Sequence, residues 1–128
     1  MSLIPSDMIE VRRSAGRGRG VFARRFIAKG TIIERVPMIV FPQKELESED
    51  GFSTLYHYCF EWGKGTVALA MGYGSIYNHS FSPNARYDDL PQRTKEFSAL
   101  KDIQAGEEIT ISYNGEAEDQ TPMEFAVL

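Results

Sequence analysis

Polar and apolar residues alternate over much of this chain, and a period of two is the pattern of strands with one buried face. In Tyr56-His57-Tyr58-Cys59-Phe60-Glu61-Trp62 an aromatic falls at every second position, so a strand there sets four rings on one face and His57, Cys59 and Glu61 on the other. Gly63-Lys64-Gly65 reads as a turn, and Thr66 to Met71 aligns Val67, Leu69 and Met71, which predicts a hairpin. Gly20 to Arg25 and Thr31 to Phe41 are strand-like between glycine or proline punctuation, and so are Glu96 to Leu100 and Glu108 to Tyr113. Helical signals are thin: Gln43 to Asp50 is polar all round, a surface turn of helix or a loop, and Thr121 to Leu128 has the pattern of one short amphipathic helix. The spacing Ile27-x-x-Gly30-x-x-Ile33 returns as Ile103-x-x-Gly106-x-x-Ile109, marking in both places a tight turn that enters a strand, but a single echo is not a repeat architecture.

Composition narrows the class. At 128 residues the chain fits one domain, and 42% hydrophobic with 25% charged residues suits a soluble globular protein. Cys59 is the single cysteine, which excludes an internal disulfide and points to a reducing, intracellular compartment, and with two histidines it leaves little for a zinc site. No apolar run approaches the roughly 18 residues of a membrane span. The net charge of −4 is unevenly placed, since residues 1–35 hold eight Lys/Arg against three Asp/Glu. That +5 leaves −9 on the remainder, which favours a basic peptide as partner and argues against general nucleic-acid binding.

Three segments carry candidate chemistry. In Arg17-Gly18-Arg19-Gly20-Val21-Phe22-Ala23, alternate glycines let backbone approach a ligand and expose N–H groups to an anion, although a plain basic turn is the commoner use of such a run and an arginine-glycine RNA contact a lesser one. Gly72-Tyr73-Gly74-Ser75-Ile76-Tyr77-Asn78-His79-Ser80, followed by Pro83-Asn84, presents Asn and His in a glycine-flanked loop, either for a polar ligand or simply as turn formers. Gly106-Glu107-Glu108-Ile109-Thr110-Ile111-Ser112-Tyr113-Asn114-Gly115 puts a tyrosine at a strand end, where its hydroxyl faces a cleft or its ring fills the sheet.

In this order the three segments resemble the SET domain family of S-adenosylmethionine-dependent protein lysine methyltransferases: its G-x-G cofactor loop, its N-H-S motif and its G-E-E-[IL]-x-x-x-Y segment. The resemblance covers about residues 10–115 of a single domain spanning 1–128, and within the family it is nearest to small stand-alone members such as the chlorella virus histone methyltransferase. It implies a mainly β SET fold of small, mostly antiparallel sheets with few short helices and a C-terminal pseudoknot that brings Tyr113 to Asn78-His79. By resemblance Tyr113 is the catalytic tyrosine, Gly18, Arg19, Gly20 and Asn78 hold the methionine part of the donor, His79 contacts its adenine through main chain, and Tyr77 borders that pocket.

On the substrate side Tyr58 is a channel wall or a core aromatic, and Ile111 stands where some members carry the Phe/Tyr that sets the degree of methylation. Many members close the lysine channel with a cysteine-rich zinc segment after the tyrosine. Residues 114–128 contain no cysteine, so either this tail closes the site with Phe125 or a second subunit does, as in a homodimer. The implied substrate is a basic protein such as a histone tail. Two other readings remain: a SET-like module that binds donor or peptide without catalysis, and a Cys59/His thiol hydrolase with Asn78 as orienter. The second is disfavoured because side chains at i and i+2 of a strand, such as His57 and Cys59, lie too far apart to pair.

Overall fold

The alternating segments pair into two main sheets in the computed structural model, which describes residues 3–4 and 6–113. One sheet contains β1 (Ile9–Ser14), β2 (Gly18–Ala23), β8 (Asn78–His79) and β11 (Glu108–Ile111), in the order β1-β2-β11-β8. The other contains β3 (Ile32–Pro42), β6 (Phe60–Gly63), β7 (Thr66–Ala70), β9 (Ala85–Leu90) and β10 (Thr94–Ala99), in the order β6-β7-β3-β10-β9. A two-residue pair, β4 (Glu47–Ser48) with β5 (Gly51–Phe52), lies between short 3-10 turns at Gln43–Leu46 and Thr54–Tyr58. The fold is therefore mainly β with antiparallel pairing, apart from the parallel contact of β11 with β8.

That parallel contact carries the chain crossing. β11 pairs antiparallel with Val21 and Phe22 on one side and parallel with Asn78 and His79 on the other. The last described strand thus fills a slot between two earlier segments, the arrangement a pseudoknot requires. Asn84, 6% exposed, clamps it there: its Nδ2 donates to the Glu108 carbonyl at 2.8 Å and its Oδ1 accepts the Thr110 N–H at 2.9 Å.

The Ile/Gly echo proves to be a local two-fold exchange. Ile27 and Ile103 donate to each other's carbonyls at 2.8 Å, Gly30 N–H reaches Ala99 while Gly106 N–H reaches Ala23, and both glycines stand at φ +86°. Only glycine adopts that conformation without strain, so each copy turns at the same point before entering β3 or β11. Ile27, Ile33, Ile103 and Ile109 are all buried, together with Val21, Phe97 and Ile111, in one core.

Several local expectations are corrected. Residues 56–62 are not one strand: the Thr54–Tyr58 turn, closed by Tyr56 N–H to Ser53 and Cys59 N–H to Tyr56, precedes β6. The strand propensity of its aromatics loses to these local bonds and to stacking of Tyr56 on Phe52, with centroids 4.0 Å apart. Phe60 and Trp62 do share a face, against Lys95 of β10, whose Nζ lies 4.0 Å from the Phe60 centroid, 4.1 Å from Tyr87 and 5.7 Å from Trp62. Asp89 pairs with the same ammonium at 2.6 Å. Strands β1 and β9 lie where no alternation singles out a strand, because Arg12, Arg13, Asp88 and Asp89 mask the pattern. The helix expected at Thr121 to Leu128 lies outside the described residues.

Candidate functional site

The three motifs meet around β11. Glu108 sits at the first position of that strand, opposite Phe22 of β2, and its carboxylate joins them. Its Oε1 accepts the Ser14 hydroxyl at 2.7 Å, its Oε2 accepts Asn78 Nδ2 at 2.7 Å, and Arg17 stands 3.9 Å away. Asn78 Nδ2 also donates to the Arg19 carbonyl at 3.0 Å, so the glycine-rich loop, the Asn-His segment and the Glu-Glu segment are tied by one amide and one carboxylate.

The two loop glycines are required for different reasons. At Gly18, φ is +77° and a Cβ would meet nothing within 4 Å among the described residues, so the demand is conformational. At Gly20 a Cβ would lie 2.8 Å from Asn78 Nδ2 and closer still to Glu108 Oε2, so the demand is space. The result is bare backbone beside a polar junction, where a polar ligand can approach the main chain closely.

Tyr113 is fixed at both ends. Its backbone N–H donates to His79 Nδ1 at 2.8 Å, and its hydroxyl donates to the Tyr77 carbonyl at 2.6 Å. Burial raises the Tyr113 pKa to about 12, with the neighbouring Tyr58 adding to the effect, so the phenol keeps its proton at neutral pH and acts through hydrogen bonds. His79 is 4% exposed and its pKa is lowered, first by burial and then by Arg17. The ring is therefore neutral near pH 7, and because Nδ1 accepts, the proton sits on Nε2, which has no hydrogen-bond partner among the described residues. Phe81 packs edge-on against this ring, centroids 4.5 Å apart.

Of the other residues singled out in the sequence, Tyr77 is 1% exposed, stacked on Phe97 and turned into the core, so that it faces Tyr113 with its carbonyl. Ile111 is fully buried in β11, its backbone paired with His79. Tyr58 is 53% exposed at the end of its 3-10 turn, close enough to Tyr113 to perturb it, and is not a core aromatic. Phe125 lies outside the described residues. Cys59 directs its thiol at the Leu55 carbonyl, 3.5 Å away, and burial raises its pKa, the opposite of an activated nucleophile. Sequence reasoning passed over Ser14, Arg17 and Glu108 as parts of this junction. Arg17 and Glu108 stand within candidate segments, as the basic residue before the first glycine and the second acid of the Glu-Glu pair, whereas nothing in the sequence marks Ser14.

Comparison with known proteins bears on what such a junction serves. The SET domain family model matches residues 18–114. A Schizosaccharomyces pombe protein named histone-lysine N-methyltransferase, H3 lysine-37 specific, is 35% identical over 106 residues, covering 82% of this chain and 72% of that protein. The Caenorhabditis elegans histone-lysine N-methyltransferase mes-4 is 33% identical over 140 residues, 93% of this chain but only 16% of the relative. Among solved structures, a candidate histone methyltransferase of Plasmodium falciparum aligns with a TM-score of 0.68 and 33% identity, over 83% of this chain and 92% of the other.

Proposed function

The chain belongs to the SET domain family, and from that premise we propose that it is a protein-lysine N-methyltransferase that uses S-adenosylmethionine and acts on a basic protein of the histone kind. The observation that carries the reading is the convergence of Gly18 to Gly20, Asn78-His79 and Tyr113 on one junction, although the motifs are remote in sequence.

The backbone of Gly18, Arg19 and Gly20, with Asn78, would hold the methionine part of the donor, and the His79 main chain its adenine. The bare backbone at Gly18 and Gly20 fits that task. When bound, the donor supplies an electrophilic methyl on a sulfonium.

The remaining work falls to the protein. Lysine must arrive as neutral amine, which at pH 7 stands about 3.4 units below its reference pKa, roughly 4.6 kcal/mol uphill. An apolar channel wall, to which Tyr58 contributes a ring, lowers that cost by disfavouring ammonium. Burial keeps the Tyr113 phenol protonated, and in this reading its hydroxyl orients the amine. The excess of acid beyond residue 35 draws in a lysine- and arginine-rich segment.

The direct test is incubation with methyl-labelled S-adenosylmethionine and core histones, with mass spectrometry to locate the label. Methyl-lysine on a histone is the expected result. Calorimetric binding of the donor without transfer to any basic protein would instead make the chain a SET-like binding module.

A further inference from the structure

Glu34 takes no part in the chemistry above, yet it is a carboxylate only 2% exposed in β3, among core residues such as Ile33 and Val36. Burial of this kind costs several kcal/mol, and an apolar residue of similar size would fill the position without that penalty. Its Oε1 accepts the Tyr77 hydroxyl at 2.8 Å and its Oε2 faces the Tyr73 N–H at 3.4 Å. A Cβ at Gly72, where φ is +60°, would come within 2.9 Å of the same Oε2 and 2.6 Å of Val36 Cγ1. Three points of the loop that delivers Asn78 and His79 are thus fitted to one carboxyl group.

The loop's last residue connects this carboxyl to the site. Tyr77 gives its hydroxyl to Glu34, stacks its ring on Phe97 with centroids 4.6 Å apart, and offers its carbonyl to the Tyr113 hydroxyl at 2.6 Å. With the far end of Tyr77 anchored, the carbonyl has one place to stand.

We propose that Glu34 is a positioning residue for Tyr113: by holding the Tyr77 hydroxyl and the Tyr73 amide it fixes the Tyr77 carbonyl, and through it the direction of the Tyr113 hydroxyl. Its effect on turnover rests on the methyltransferase reading, whereas its effect on Tyr113 does not.

Two conservative variants test this. Glu34→Gln keeps the volume but leaves one of the two donors facing an NH2 group, and Tyr77→Phe removes the hydroxyl while keeping the ring on Phe97. On protein shown by thermal melting to be folded, each is expected to lower kcat by about tenfold or more, since small misplacements of reacting groups are that costly. KM for donor and histone should stay within about twofold, as for an interaction made in the transition state. Because the residues act in series, the double variant should be no slower than the slower single one. Independently of turnover, the 13Cζ resonance of Tyr113, assigned by its loss in Tyr113→Phe, should shift in both variants. An unmoved resonance, losses that multiply, or a raised KM with kcat intact would overturn the proposal. If the wild-type protein transfers no methyl group while the resonance still moves, the methyltransferase reading fails and the positioning role stands.

Discussion

Replacing Gly20 with alanine tests the junction with a single methyl group. The added Cβ would sit 2.8 Å from Asn78 Nδ2 and nearer still to Glu108 Oε2, whereas ordinary contact begins at about 3.4 Å, so the amide must retreat by 0.6 Å and the carboxylate by more. Neither is a free chain end. Asn78 Nδ2 is held by Arg19 and Glu108, and the Glu108 carboxylate also receives Ser14. Moving them sacrifices one or two hydrogen bonds to a charged group at roughly 1.5–3 kcal/mol each, which after partial relaxation gives a loss of about 2–4 kcal/mol. For a domain of this size that lowers Tm by about 10 °C. Gly18→Ala is the control: its Cβ meets no atom of the described residues within 4 Å, and its left-handed backbone alone costs only about 1–2 kcal/mol. Differential scanning calorimetry reads the stability of both variants, and isothermal titration with S-adenosylmethionine reads the consequence for the loop. Gly20→Ala should weaken donor binding by about tenfold or more, equivalent to 1.4 kcal/mol. If it melts within about 2 °C of wild type and binds donor equally well, the junction does not hold the loop in place.

Three further outcomes follow from the geometry. Tyr113→Phe should leave donor affinity within about twofold while kcat falls by about a hundredfold or more, as for loss of one preorganised hydrogen bond, and equal loss of binding and turnover would contradict the role given to the hydroxyl. Because the folded-state pKa of His79 is lowered, the unfolded chain binds the extra proton first on acidification. The stability held by neutral His79 is thus complete above about pH 6.5 and lost as pH falls through the depressed folded value, together with the Tyr113 N–H bond to Nδ1. Urea melts of wild type and His79→Asn between pH 5 and 8 check this, and parallel pH curves would refute it. The Lys95 pKa is lowered because burial outweighs Asp89, so Lys95→Met should cost less stability than Asp89→Ala, which strands the buried ammonium; the reverse order in urea melts would sink that balance.

Some of the architecture was legible because strand alternation and turn chemistry are local. The β6-β7 hairpin, the glycine turns at Gly30 and Gly106, and the strands β2, β3, β7, β10 and β11 follow from side-chain period and backbone freedom within a few residues. Where a local competitor existed the pattern misled. At residues 54–58 a 3-10 turn outcompeted the aromatic alternation, and in β1 and β9 charged residues hid strands that only pairing with β2 and β10 makes stable.

At the site, the residue types on hand can be read along the chain: glycines that bare the backbone, an Asn-His pair, and a tyrosine at a strand end. What each residue does depends on its neighbours in space. Glu34, Ser14 and Glu108 became partners of the motifs through contacts 30 to 94 positions apart, and Tyr77 turned its ring inward so that its carbonyl, not its hydroxyl, meets Tyr113. The physical reason is that hydrogen bonds and burial are properties of pairs in space. The partner of a buried oxygen depends on which segments lie beside it, and here that is set by the place of β11 between β2 and β8.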